Sequence, residues 1–597
     1  IERIEVVRGG GSVLLGGNAI GGAVNIITRE PIRNSGDFSH TTTSINGSGA
    51  LENNTTFNAS IVNDTHNAGI MVFGQHRDRD AYDIDNDGFS ELPILKNRAL
   101  GFRSCLKTGD YSRMTLEYQN MHEFRRGGDS LRLQPFESYI TEQTEHYING
   151  GSLKYDQYSS NQKHKVSFFA AAQHTDRKSY YGAGDPYIDE VPQLKPGMSQ
   201  EEIDNINDIN ENNLIRLNSY GRSEETSYQI GGHYTYQFDE LWFMPSEFIS
   251  GLEFLGSNLK DESGYRKSGL SQKAKVSSAF VQNEWKTEQW GFLVGVRADN
   301  HNMMKNPIIF PRANVRYNPN ENVNFRLTYS EGYRAPQVFD EDLHVDIAGG
   351  EAIIRELSEN LHEEHSHSVS GSVDTYTDIG PYKLNLLLEG FYTRLRNPFT
   401  DLKRGDIVYV ENADDGAQVY GINLEGRIGY RDLLDLQLGA TFQRSLYDKA
   451  RKWWEPESDD ELELDGVEAT REIMRTPDIY AYFVATYTPI KPLNISLSGN
   501  YTGKMYVPHE AGFGVEGVDS FSKLNVTEHT PSFFEVNFRM GYDFEIFGDS
   551  KLQLNAGVQN IFNSFQNDFD TGAGRASKYV YGPGMPRSFF AGLKVSF

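Results

Sequence analysis

From about residue 38 to its end the chain repeats one pattern. A stretch of alternating apolar and polar residues meets a tight turn, a second such stretch follows, and then comes a long polar loop. In 322–330, Val323, Phe325, Leu327 and Tyr329 share one face of an extended strand, with Asn322, Asn324, Arg326, Thr328 and Ser330 on the other. Met114, Leu116 and Tyr118 likewise oppose Arg113, Thr115, Glu117 and Gln119, and Leu552, Leu554, Ala556 and Val558 oppose Gln553, Asn555, Gly557 and Gln559. A period of two marks a strand with one apolar face. Tight turns rich in Gly, Pro, Asn and Asp fall at 108–110, 318–320, 378–381, 489–492 and 548–550. Long loops fall near 78–95, 123–145, 175–223, 257–274, 332–363, 396–416, 448–474, 504–530 and 563–586. Soluble domains seldom alternate short and long connections this way. A membrane barrel does so by construction, with tight turns on one side and long loops on the other. The fold class expected is therefore all-β, a transmembrane antiparallel β-barrel of about 22 strands, the size that carries a plugged lumen. Backbone groups in lipid must all be paired, so the sheet has to close.

Composition agrees with a barrel and excludes other classes. The chain has 597 residues, 57 Lys plus Arg against 83 Asp plus Glu, and a net charge of −26. A nucleic-acid surface needs a basic stripe, so none is expected. No run of about 18 apolar residues occurs, which excludes helical membrane spans. The 33 Tyr and 35 Phe suit the aromatic girdles of a barrel. The lone Cys105 permits neither an internal disulfide nor a cysteine-based metal site.

The opening stretch is more specific. It reads Arg3-Ile4-Glu5-Val6-Val7-Arg8-Gly9, then Ser12-Val13-Leu14-Leu15-Gly16, then Ala19-Ile20-Gly21-Gly22-Ala23-Val24-Asn25-Ile26-Ile27-Thr28. Two apolar runs flank a glycine-rich centre, without the spacing of a phosphate-binding loop. The order resembles the end of the plug domain of TonB-dependent outer-membrane receptors, R-I-E-V-x-R-G-P-x-S-x-L-Y-G followed by A-x-G-G-x-I-N-I-I-T. Gly10 and Leu15 depart from it, where proline and an aromatic are usual. The last strand, ending Leu593-Lys594-Val595-Ser596-Phe597, resembles the terminal strand of outer-membrane proteins, and 558–563 resembles the N-L-F-[ND] box of the same receptors. Phe589, Ala591, Leu593, Val595 and Phe597 are expected to face lipid, and Lys594 and Ser596 the lumen.

The resemblance implies residues 1–31 as the C-terminal part of a plug and 32–597 as the barrel, in a bacterial outer membrane. The chain begins inside a motif and is read as a fragment, with the TonB box and most of the plug upstream. Arg3, Glu5, Arg8, Gly9, Gly16, Gly21, Gly22 and Asn25 are the plug-motif residues.

Candidate site residues lie in the loops. Asp83, Asp85 and Asp87, followed by Gly88 and with Glu91 nearby, can converge oxygens on a hard cation. Position 12 of an EF-hand would be Ile94, so this is no EF-hand. Vitamin B12 receptors of the family carry a similar stretch that binds calcium; a solvated acidic turn is the alternative. Tyr333-Arg334-Ala335-Pro336 resembles the family's Y/F-R-A-P box, and Glu359-Asn360-Leu361 with Glu364 a degraded N-P-[ND]-L-x-P-E box. Haem receptors place a ligand histidine between these boxes, where His344 stands; siderophore receptors carry the boxes too. His365 and His367 share parity with Val369 and are expected at the outer girdle. Ser199 and Glu202 form a capping-box pattern ahead of Ile203, Ile206 and Ile209, which predicts a short surface helix. Tyr181, Trp453 and Trp454 suit an amphipathic ligand, and Arg125 and Arg126 an anionic one.

These features point to a receptor and transporter rather than an enzyme. The ligand expected is a metal complex, namely a ferric siderophore, haem or cobalamin. The partners expected are the TonB complex and outer-membrane lipids. A receptor for oligosaccharide or peptide working with a surface lipoprotein is the alternative within the family. A passive porin or adhesin lies outside it, and porins lack the plug motif.

Overall fold

The computed structural model describes the chain except residues 1, 9–12, 15, 18–19, 183–184, 196–197, 264–268, 339–346, 349–350, 353, 405–406, 414, 513–520, 573–574 and 577–578. From Ser35 onward the barrel strands pair antiparallel, each with the next barrel strand, until the last, Ser588–Ser596, pairs back onto the first, Ser35–Ile45. Asp37 lies opposite Ser596 and Ile45 opposite Ser588. Thr470–Glu472 and Ile479–Ile490 share one column against Leu434–Arg451, so the closed barrel has 22 strands. The barrel sheet, among the described residues, leaves no edge for another chain to pair with.

The alternation places side chains as the pattern requires. Phe325, Leu327, Leu386, Leu388, Ile422 and Leu424 lie on the outer surface. At the seam, Lys594 Nζ lies 3.2 Å from Asp37 and Ser596 Oγ donates to the same carboxylate at 2.6 Å, both inside the bore. On the outside, Tyr382 and Tyr392 stand ten residues apart on one strand face. At a strand tilt near 40° that spacing spans about 25 Å, the height of an apolar belt. Near the tight turns, Trp290 stacks on Tyr317 at 4.3 Å and Tyr382 packs on Tyr430 at 4.9 Å, forming one girdle. His367 faces outward, its ring 3.1 Å from the Tyr329 hydroxyl, at the level of the other girdle.

Many strands are longer than the 9–11 residues a membrane needs. Tyr220–Leu241 has 22 residues and Ser90–Gly109 has 20. Stretches expected as loops continue the ladder above the membrane, where pairing satisfies backbone groups that would otherwise need water. The expected helix is also longer than a single short turn. It runs Gln200–Asn218, and its box is formed: Ser199 Oγ accepts from the Glu202 N–H, and the Glu202 carboxylate accepts from the Ser199 N–H.

Inside the bore lies a two-stranded sheet, Arg3–Arg8 against Gly22–Ile27, with Glu5 opposite Asn25. Arg3 and Asn25 both donate to the Glu5 carboxylate, at 2.8 and 3.0 Å. Gly16 and Gly22 have φ of +101° and +133°, values closed to residues with a side chain. The segment that leaves this hairpin is anchored to the wall. Glu30 pairs with Arg113 at 2.6 Å, and Arg103 bonds both Thr28 and Glu117.

Leu388 sits mid-span on the lipid face. Leu388→Arg is expected to destabilise the refolded barrel by about 3 kcal/mol, measured by urea titration in lipid vesicles.

Candidate functional site

The loops at one end of the barrel enclose a cavity of about 690 Å³. Its walls come from segments far apart in the chain. Arg334 ends a barrel strand, Phe399 opens the loop hairpin Phe399–Arg404 with Ile407–Asn412, and Tyr447 and Arg451 end a second barrel strand. Trp453 follows at once, Arg475 comes from beyond the acidic loop, and Val580 from the last loop. Ile354–Leu357 adds a parallel strand to the hairpin and brings Leu357 to the cavity.

Cations and rings are paired around this space. The Arg334 guanidinium lies 5.2 Å from the centre of the Phe399 ring, and the Arg451 guanidinium 4.3 Å from that of Tyr447. Stacking of this kind holds a planar cation flat against the ring. Among the described residues, the Nε of Arg451 and the indole N–H of Trp453 are buried without a hydrogen-bond partner. Lys452 pairs with Asp465 at 2.6 Å, which holds that carboxyl below its usual range. Glu472 is 3.3 Å from Arg444. The chemistry on offer is recognition: fixed N–H donors and apolar ring faces suited to an anionic, aromatic or chelated ligand.

Of the described residues expected to bind ligand, Arg334 and Trp453 reach this cavity and the rest lie elsewhere. Tyr333 is fully buried beneath it, its hydroxyl donating to Asp299 at 3.1 Å. Trp454 is buried in the loop core. Arg125 is exposed and pairs with Glu123 at 2.7 Å. Arg126 is buried under the loop that carries the helix, with Ser138 Oγ 3.5 Å from its Nη2. Tyr181 is buried in the same loop packing. His344 lies outside the described residues. Phe399, Tyr447, Arg451 and Arg475 were not singled out from sequence. The basic run 449–452 just before Trp453 was the available signal, since cations beside aromatics suit anion recognition.

The acidic turn sits apart, over the barrel seam. Carboxylate oxygens of Asp83, Asp85 and Glu91 lie within 4.8 Å of one another. Asp87 turns away: its carboxylate pairs with Arg575 of the last loop and accepts from the Gly572 N–H at 3.0 Å. Arg575 also meets Glu91 at 2.7 Å and covers the Phe89 ring at 4.9 Å. The first and last loops are thereby stapled together. Burial, then Glu91 and Asp87, push the Asp85 carboxyl up to about 7.

The sequence matches the family model described as TonB dependent receptor-like, beta-barrel, over residues 28–561. The chain belongs to the TonB-dependent receptor family. Members are outer-membrane barrels, and this one is placed in that membrane. No curated protein matches the sequence. Solved structures share the fold. The siderophore receptor PirA from Acinetobacter baumannii superposes with a TM-score of 0.73 at 16% identity, over 100% of this chain and 85% of that one. A mutant of the ferric enterobactin receptor PfeA from Pseudomonas aeruginosa gives 0.71 at 14%, over 100% and 85%. The FpvAI–pyocin S2 complex gives 0.70 at 12%, over 100% and 77%.

Arg575→Ala leaves the half-buried Asp87 and Glu91 without their cation. The docking of the last loop is expected to weaken by about 3 kcal/mol, read as faster hydrogen exchange of the last loop with barrel strands unchanged.

Proposed function

We propose that this TonB-dependent receptor imports a ferric siderophore across the outer membrane. The observation that carries the reading is the pair of guanidiniums, Arg334 and Arg451, laid against Phe399 and Tyr447 around a cavity of about 690 Å³. A ferric catecholate is an anion with exposed ring faces, so it asks for fixed N–H donors and aromatic walls together. The siderophore receptors that share the fold support the same class of ligand. Nothing in this role requires a bond to be made or broken: the loops bind, the plug blocks the bore, and TonB, the partner that family membership implies, drives its opening. Arg334→Ala and Arg451→Ala are each expected to weaken binding of a ferric catecholate about tenfold or more. Uptake of radiolabelled iron presented as ferric siderophores or haem, alongside cobalamin, in cells with and without TonB, tests the class. Equal uptake without TonB, or uptake of cobalamin alone, overturns the proposal.

A divalent cation such as calcium, held by Asp83, Asp85 and Glu91, orders the loop face beside the seam. Three converging carboxylates fit a hard cation, and the Asp85 carboxyl is raised by burial first and then by Glu91 and Asp87, a penalty on its charged form that a cation would relieve. Glu91 takes the place that the spacing assigned to Asp87. Calorimetry should show calcium binding to the receptor and its loss in Asp85→Asn. A flat titration, with identical protease patterns in calcium and in chelator, removes the idea.

A further inference from the structure

The geometry points to Lys260, Lys273 and Lys275 as a site on the outer wall that holds the phosphate of a glycolipid of the outer leaflet. The inference needs only the barrel and its membrane, and it stands apart from the transport reading above.

The three lysines lie on two neighbouring strands, Met244–Asp261 and Leu270–Lys286. They sit at the end away from the tight turn that joins Lys286 to Trp290, and so on the side of the long loops. On the second strand Ser271, Lys273, Lys275, Ser277, Ala279 and Val281 are exposed, while Ala274, Val276, Ser278 and Phe280 between them are buried. Lys273 is opposite Asn258, Lys275 opposite Gly256 and Lys260 opposite Ser271. Lys273 and Lys275 are therefore two residues apart on one face, and Lys260 is the diagonal neighbour of Lys273. Both spacings are about 7 Å between Cα atoms.

Their height on the wall is fixed by the rings beside them. Tyr228 leans across Gly256, where an added Cβ would meet its ring at 2.4 Å, and so occupies the row of Lys275. It packs on Phe254 at 6.0 Å, which stands opposite Ser277. Below these, Leu252 lies opposite Ala279 on the apolar belt. Lys275 thus stands at the upper edge of the belt, with Lys273 and Lys260 just above it, where lipid headgroups lie.

Elsewhere on the outer wall, cations near this height have carboxylate partners. Arg222 meets Asp176 at 3.0 Å and Glu224 at 2.7 Å. Arg394 meets Asp448 at 2.7 Å, and Arg444 meets Glu472 at 3.3 Å. Among the described residues, no carboxylate pairs with Lys260, Lys273 or Lys275. In a chain of net charge −26 this cluster is an exception. Like charges this close repel one another, and a shared anion relieves the repulsion. A phosphate ester suits three ammonium groups, since it presents several acceptor oxygens and its negative charge at one point. The belt below supplies the second half of the fit. Acyl chains lying on Leu252, Ala279 and Val281 hold the phosphate of their own lipid at the lysines, a hold that a free phosphate lacks. The hydroxyls of Ser271 and Ser277 flank the lysines on the same face and suit a sugar.

The test is native mass spectrometry of the detergent-purified receptor, with lipid A, dephosphorylated lipid A, phosphatidylglycerol and inorganic phosphate as separate probes. Replacing Lys260, Lys273 and Lys275 together by Gln is expected to weaken lipid A binding about tenfold or more. Arg222→Gln, which removes a cation already paired, is expected to leave it unchanged. Dephosphorylated lipid A is expected to bind the wild type no better than lipid A binds the triple variant. Folding is read from heat-shifted gel mobility. Should the triple variant fail to fold, Lys273→Gln alone decides, with an expected loss of about fivefold. Undiminished lipid A binding in the folded lysine variants overturns the site, as does an equal loss in Arg222→Gln. Equal binding of phosphatidylglycerol, or displacement of lipid A by inorganic phosphate at equal concentration, overturns the assignment to a glycolipid.

Discussion

Closure of the sheet is the constraint on which everything else depends. In hydrocarbon an unpaired N–H or C=O costs several kcal/mol, so a sheet with an edge has no stable place there. The seam between Ser35–Ile45 and Ser588–Ser596 removes that edge by joining strands more than 540 residues apart. Each remaining property follows from it. One face of every strand must suit lipid and the other the bore, which sets the period of two. The connections at one end can be tight, while those at the other are free to lengthen and carry function.

That freedom explains the site. The cavity gathers Arg334, Phe399, Tyr447, Trp453 and Val580 because their strands and loops rise from the same rim, whatever their distance in the chain. The loops are tied to one another as well as to the strands. Arg575 bonds Asp87 and Glu91 across the seam, so the first and last loops behave as neighbours. Inside the bore, charge is handled by pairing: Arg297 with Glu253 and Asp299, Lys594 with Asp37. A polar lumen is stable only when such groups answer one another.

The strand pattern, the approximate strand number, the lumenal side of Lys594 and Ser596 and the outward side of His367 were all readable from the chain. Each depends on local periodicity, which a sequence carries directly. The helix start at Ser199 was readable for the same reason, since a capping box is a local bond pair. The candidate ligand residues are dispersed in the structure. Arg334 and Trp453 reach the cavity, yet Tyr333, Trp454, Arg126 and Tyr181 are buried. Residue type suggested their chemistry, but the direction of a side chain in a long loop depends on what packs over it.

The acidic turn shows the division most clearly. Alternate aspartates announce an oxygen-rich turn, and that much the sequence by itself determined, together with the barrel. Only the tertiary structure decided that Glu91 joins Asp83 and Asp85 while Asp87 is drawn to Arg575. Likewise it decided that Lys260 stands beside Lys273 and Lys275 on the outer wall. Periodicity is a property of neighbours along the chain; partnership across the barrel is set by register and closure, which no local window contains.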